Sequence, residues 1–246
     1  MKEITLTQEE VHKGPLILVN PRHQTAWNMP KELSTVGPGV QLQREAATLL
    51  GELMQQIGGW KSIAPVSGWR SLEEQQNIWN SSLLENGPEY TRTYVALPGH
   101  SEHQTGLAID LGLRQESIDF ICPDFPDTGV CGMFKQKAAD YGFILRYPAG
   151  KEDITGIGCE PWHFRYVGIP HAKIMTENGQ TLEEYTEYIR QFDSPLHPCC
   201  IRMKGRAICV SYIPADTAET IVKVNEAVPY RISGNNVDGF VLTQWT

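Results

Sequence analysis

The chain has 246 residues, 41% of them hydrophobic and 20% charged, and Lys+Arg 21 against Asp+Glu 29 gives a formal charge of −8. That apolar content excludes intrinsic disorder, and the acidity argues against a nucleic-acid partner, which needs a positive surface. No stretch approaches the roughly 20 apolar residues that span a bilayer, so no membrane partner is expected.

The length suits one large domain, or one with a small appendage. The first 20 residues start with mixed charge, and their longest apolar run is Pro15 to Val19. A secretory signal needs a longer apolar core, so a cytoplasmic protein is the expectation. The cysteines are Cys122, Cys131, Cys159, Cys199, Cys200 and Cys209, with no CxxC pair. A thiolate zinc knuckle is therefore not expected, and reduced, structural thiols are. A Cys122–Cys131 bridge is the main competing reading.

Residues 41–57 predict an amphipathic helix with Ala46, Leu49, Leu50, Leu53 and Ile57 on one face, stopped at Gly58-Gly59. A second helix starts at Ser71, where Ser71 and Glu74 have capping-box spacing. A third covers roughly 133–141 and ends at Gly142. A fourth starts at Thr181, with Glu184 repeating the box, and runs to about Phe192. Between them lie strand-like runs at Ile63–Val66, Leu107–Leu113, Phe143–Arg146 and Trp162–Val167. Helices and strands do not alternate regularly, which argues for an α+β fold.

After about residue 194 the composition changes. SPLHPCC reads as a linker, and RAICVSYIP, ETIVKV, VPYRI and DGFVLTQW read as strands, with SGNN turning a hairpin. Residues 195–246 hold five basic and four acidic side chains, so the first 194 carry −9 of the total. The expected organisation is a main domain over 1–194 and a small β-rich extension over 195–246. A piece of that size is marginal alone and is expected to pack on the main domain or a partner, as a sheet-edge cap or an oligomer contact.

Three segments carry chemistry. SEHQTGLAIDL at 101–111 places His103 and Asp110 seven apart, with Asp110 in an apolar run. A carboxylate buried there requires a partner or a metal; a surface strand with one exposed Asp is the alternative. CEPWHFRYV at 159–167 places Glu160 and His163 three apart. Pro161 disfavours a helix, and strict strand alternation would point the two side chains to opposite faces unless Pro161 breaks it. VSGWRSLEEQQ at 66–76 sets Arg70 at a strand-to-helix junction, where a cation is poorly matched to the helix dipole.

Together, His103, Asp110 and His163 form a two-His, one-carboxylate set. Three protein ligands with one open position is the form of a catalytic zinc site, and Glu160 remains as a base for an activated water. Arg70 offers a charge for an oxyanion.

In order along the chain, SGWRS, SxHxxGxAxD and ExxH resemble the zinc D,D-peptidases of the VanY and VanXY type, over roughly residues 15–192. The resemblance implies a central antiparallel sheet flanked by helices, as in the D-Ala-D-Ala metallopeptidase and hedgehog-like folds. It implies zinc on His103, Asp110 and His163, Glu160 as general base and Arg70 stabilising the tetrahedral intermediate. Gln75 and Ser101 match positions that contact substrate. The implied substrates are D-Ala-D-Ala and UDP-MurNAc-pentapeptide, whose removal contributes to vancomycin resistance. The missing N-terminal anchor points to the VanXY type. The tail lies outside the shorter members of that family.

Other residues have plainer readings. His100 is a loop residue or pocket wall; His12, His23, His171 and His197 are ordinary histidines; Trp162 lines the pocket or packs in the core. Two other functions are weighed: an endolysin-like peptidase whose tail binds the wall, and a zinc-bearing binding module without catalysis. The presence of both Glu160 and Arg70 argues against the second.

Overall fold

In the computed structural model residues 1–26, 32–194, 197–203 and 205–246 are described, so part of the expected linker, Pro195 and Leu196, lies outside them. The strands are β1 (Lys2–Thr7), β2 (Leu33–Gly37), β3 (Val40–Gln43), β4 (Ile63–Ser67), β5 (Ala108–Leu113), β6 (Phe143–Tyr147), β7 (Glu160–Tyr166), β8 (Cys199–Met203), β9 (Arg206–Pro214), β10 (Glu219–Val224), β11 (Tyr230–Gly234) and β12 (Gly239–Trp245). The helices are α1 (Arg44–Gln56), α2 (Leu72–Glu85), α3 (Gly87–Tyr94), α4 (Gly129–Lys137), α5 (Glu152–Thr155), α6 (His171–Asn178) and α7 (Leu182–Ile189).

The chain divides into two compact units, Val19–Thr181 and Met1–Leu18 joined with Leu182–Thr246. The cut therefore falls at 181/182 rather than at 194, and the N-terminal strand belongs with the tail. The physical reason is pairing: β1 runs antiparallel to β10, with Ile4 opposite Val222 and Leu6 opposite Thr220.

The larger unit is built on a four-stranded antiparallel sheet in the order β4-β5-β7-β6, beside the β2-β3 hairpin. β5 and β7 are central and almost wholly buried, which suits the near-continuous apolar character of these runs. Ile109, Leu111, Phe164, Leu145 and Phe143 share one face by register. On that face Phe125, Phe134 and Phe164 pack edge to face with centroids 4.7 to 5.7 Å apart. Ala108, Asp110, His163 and Arg165 share the other face.

The helix expected over 41–57 begins only at Arg44, because Val40–Gln43 pairs with β2. Its buried face holds Ala46, Leu50 and Leu53 as expected, with Ala47 and Met54 in place of the half-buried Leu49 and Ile57. The Ser71 capping box is present: Glu74 N–H donates to Ser71 Oγ at 3.1 Å, and Ser71 N–H donates to Glu74 Oε2 at 2.6 Å. The helix expected over 133–141 starts four residues earlier, at Gly129, and tightens to a 3-10 turn over Ala138–Tyr141.

In the smaller unit, β11-β12-β9-β8 form an antiparallel sheet and β1-β10 a ribbon. Along β10 exposed and buried residues alternate strictly, the period-2 pattern of a half-buried strand. Leu6, Val11, Val222, Val224, Phe240 and Leu242 make its core. Cys200 and Cys209 face each other across β8 and β9 and form a disulfide. The expectation of thiols throughout fails for these two. Cys122, Cys131, Cys159 and Cys199 are free, and no Cys122–Cys131 bridge exists: Cys122 sits 3.1 Å from Tyr90 Oη, while Cys131 is buried in α4.

Candidate active site

The site lies on the Asp110/His163 face of the central sheet and is assembled from four backbone devices. On β5 and β7, Asp110 and His163 are direct register partners. On β7 the ladder with β6 is irregular: Leu145 pairs with Phe164, but Tyr147 pairs with Glu160. That irregularity, over the stretch containing Pro161, breaks strand alternation and turns Glu160 to the same side as His163, with Glu160 Oε2 3.4 Å from His163 Nδ1. On β4 a second irregularity sets Ser67 opposite Asp110. The fourth device is the 3-10 turn Glu102–Thr105, which carries His103 and ends at Gly106 with φ +71, a left-handed residue that feeds the chain into β5.

His103, Asp110 and His163 bring one ligating atom each to within 4.8 Å of one another, and all three are buried. The two imidazoles are turned in opposite senses. His103 Nδ1 lies 2.7 Å from the Gly68 carbonyl, which only accepts, so Nδ1 carries the proton and Nε2 faces Asp110 Oδ2 at 3.1 Å. His163 instead presents Nδ1 to Asp110 Oδ1 at 2.9 Å and points Nε2 away toward Glu102 Oε2 at 3.6 Å. Gly68 owes its identity to packing: a Cβ there would meet Gln41 O at 2.3 Å.

Arg70 donates through Nε to Ser67 Oγ at 2.8 Å, through Nη2 to Asp110 Oδ2 at 2.9 Å and through Nη1 to Gln75 Oε1 at 3.3 Å. Gln75 Nε2 is in turn tied to Ala96 O at 2.8 Å. Gln75 and Ser101 both line the cleft that His103, Asp110, Glu160 and His163 floor, and Trp162 forms part of its wall. His100 is outside this cluster, its Nδ1 2.9 Å from Asn20 O.

Burial disfavours every charge here, and neighbours decide which survive. Burial is the largest influence on Glu160 and, helped by Asp110, outweighs the pull of His163 and Arg70, pushing the carboxyl up to about 8. Burial and the Arg70 cation push His103 down to about 4, which keeps its imidazole neutral near pH 7. For His163, burial is outweighed by Asp110, Glu102 and Glu160, which raise it to about 9. Burial would raise Asp110, but the two histidines hold it well below the usual carboxylate range.

The donor set fits a divalent cation. Asp110 Oδ1 is a buried acceptor with no hydrogen-bond partner, and an imidazole nitrogen faces each oxygen of this carboxylate, His163 Nδ1 at Oδ1 and His103 Nε2 at Oδ2. Two nitrogens and a carboxylate with an open side toward the cleft are the ligands of a catalytic zinc site.

Residues 39–169 match the family model described as VanY, D-alanyl-D-alanine carboxypeptidase. The chain belongs to the VanY family. Over 181 residues, 72% of this chain and 95% of the relative, it is 48% identical to the bifunctional D-Ala-D-Ala dipeptidase and D-Ala-D-Ala carboxypeptidase VanXYC of Enterococcus gallinarum. It superposes with a TM-score of 0.97 and 49% identity on the vancomycin-resistance D,D-dipeptidase VanXYg solved with a D-Ala-D-Ala phosphinate analogue, covering 100% of this chain and 99% of that one. A mutant of the VanY D,D-pentapeptidase from a VanB-type cassette, solved with Zn(II), matches with a TM-score of 0.61 and 31% identity over 70% of this chain and 98% of that one. The VanXYg match covers the whole chain, β-rich tail included, whereas the family model ends at residue 169 and the VanY match covers 70% of this chain. The fold is the α+β fold of the D-Ala-D-Ala metallopeptidases.

Sequence reasoning missed Glu102, Arg146 and Arg165. The available signal was an arginine inside each of two apolar strands, FILRY and HFRYV, because arginine is almost never fully buried unpaired.

Proposed function

We propose that this VanY-family chain is a zinc-dependent D,D-peptidase that hydrolyses D-Ala-D-Ala and removes the terminal D-Ala from peptidoglycan pentapeptide precursors, contributing to vancomycin-type glycopeptide resistance. The observation that carries this reading is the convergence of His103, Asp110 and His163 beside the separate buried carboxylate of Glu160. His103 Nε2, an Asp110 carboxylate oxygen and His163 Nδ1 are the zinc ligands, and zinc there supplies a Lewis acid for a peptide carbonyl and lowers the pKa of water.

Glu160 is the general base. Its carboxyl, raised to about 8, lies in the range where a group both takes and returns a proton near neutral pH. It accepts the proton of the attacking water and returns it to the amine of the departing D-alanine. Arg70 is held on three sides by Ser67, Asp110 and Gln75, so its guanidinium is fixed before substrate arrives. A fixed cation at the carbonyl oxygen stabilises the charge that develops there without reorganising during the reaction. Gln75 and Ser101 line the cleft as substrate contacts. Substrates of this kind are made inside the cell, which places the activity in the cytoplasm.

The test is a D-Ala release assay on zinc-loaded protein with free D-Ala-D-Ala, UDP-MurNAc-pentapeptide and intact sacculi side by side. Release from both small substrates, lost in Glu160→Ala, is the expected result. Release from sacculi alone overturns the precursor assignment in favour of a lysin.

A further inference from the structure

Beneath the metal-ligand cluster lies a second set of charges that takes no part in the chemistry above. Arg146 Nε and Arg165 Nη1 both reach Glu102 Oε1, at 2.7 and 2.8 Å, and all three side chains are 0% exposed. Arg165 sits on the central strand β7 and Arg146 on its neighbour β6, and Arg165 shares a sheet face with His163 two residues before it. Burying three charges in a sheet costs more than filling the space with apolar side chains, so packing alone does not explain the cluster.

The two carboxylate oxygens of Glu102 have different surroundings. Oε1 takes both arginines. Oε2 has no hydrogen-bond partner, and neither does His163 Nε2; the two buried atoms face each other at 3.6 Å. One is an acceptor and the other is the ring nitrogen turned away from Asp110. A carboxylate clamped on one side by two guanidinium groups has its orientation set, and so presents its free oxygen along a fixed direction. Partners of this kind orient ligating histidines and raise their basicity.

We infer that Glu102 is a positioning residue: held by Arg146 and Arg165, it accepts the Nε2–H of His163 and so keeps Nδ1 turned to the metal. His103 needs no such carboxylate, because the Gly68 carbonyl does the same for its Nδ1. The Glu102 side chain is fully buried although the residue borders the cleft, and its free oxygen is directed at His163. This inference rests on the zinc reading above.

The experiment measures zinc affinity by competition with a chelator for the parent, Glu102→Gln and Glu102→Asp, alongside proton–nitrogen spectra of the zinc-loaded proteins labelled at histidine nitrogens. Glu102→Asp keeps the charge between the arginines, and therefore the fold, while withdrawing the carboxylate from the ring by one methylene. Zinc binding weaker by about 10- to 100-fold is expected in both variants with thermal unfolding of the Asp variant near the parent's. The zinc-loaded parent is expected to show a slowly exchanging, downfield Nε2–H from His163 that both variants lose. Parental zinc affinity in either folded variant, or no such resonance in the zinc-loaded parent, overturns the inference. A parent that binds no zinc at all refutes the functional reading instead.

Discussion

Asp110 and His163 are cross-strand partners at the centre of the sheet, with Asp110 Oδ1 2.9 Å from His163 Nδ1. The same ladder that holds β5 to β7 therefore holds two of the three proposed metal ligands at fixed separation, and only His103 is supplied by a turn. A site on strands is more rigid than one on loops, and the cost of assembling it is met by folding the sheet.

Removing one of these ligands is expected to empty the site. His163→Ala deletes a nitrogen and leaves Asp110 with one imidazole, and two protein ligands do not hold zinc against a chelator. Metal analysis after dialysis checks this; a full zinc equivalent in His163→Ala contradicts the ligand assignment.

Glu160→Ala separates chemistry from binding. Glu160 is not among the three atoms that converge on the cation position, so zinc content stays at the parent's level while kcat falls by at least the 10²–10⁴-fold typical of a lost general base. Steady-state kinetics with metal analysis on the same sample reads both. Turnover equal to the parent's removes Glu160 from the mechanism.

Arg70→Ala is expected to reduce kcat by about 10²–10³-fold, the loss typical of one oxyanion donor. Arg70 also donates to Asp110 Oδ2, so its loss leaves a buried carboxylate less satisfied and weakens zinc as well. Comparing kcat at saturating zinc with the chelator-competition constant distinguishes the two effects.

The proposed ligands, the proposed base and Arg70 were legible because each lies in a short segment whose residue types betray it: an Asp inside LAIDL, a Glu and a His around Pro161, an Arg ahead of a helix cap. The central strands were legible from their apolar runs. The rest depends on partners far along the chain. Glu102 meets Arg146 from 44 residues away, and β1 meets β10 across more than two hundred. The hairpin β2–β3 and helix α3 were missed because they are short, 5 and 4 residues for the strands and 8 for the helix, and a period over so few residues does not stand out. The irregular pairing that lets Glu160 join His163 is a property of register, which Pro161 hints at and only the sheet decides.

Gly68→Ala tests a residue that carries no chemistry. Its Cβ would lie 2.3 Å from Gln41 O, a backbone atom of the β2–β3 hairpin, so the chain must shift. Strain of this kind costs about 1–3 kcal/mol. The Gly68 carbonyl accepts from His103 Nδ1, so the shift also disturbs a ligand. A lower Tm together with weaker zinc binding is expected; unchanged zinc affinity would show that His103 is oriented by something else.

The Cys200–Cys209 bridge is the last prediction and concerns the smaller unit. It closes a loop with a sequence separation of 9 between directly paired strands, so by loop-closure entropy its removal costs about 2–3 kcal/mol. β8 is an edge strand held to the sheet by β9 alone, so that loss falls on the strand least able to absorb it. Thiol titration of denatured, unreduced protein should count the four free cysteines and reach six only after reduction. The active site stands on a different sheet, in the unit Val19–Thr181, so Cys209→Ser should lower the unfolding midpoint while leaving zinc content and kcat at the parent's values. A titration of six thiols without reductant would show the pair to be open in solution. A fall in kcat without loss of stability would show instead that the tail reaches the chemistry.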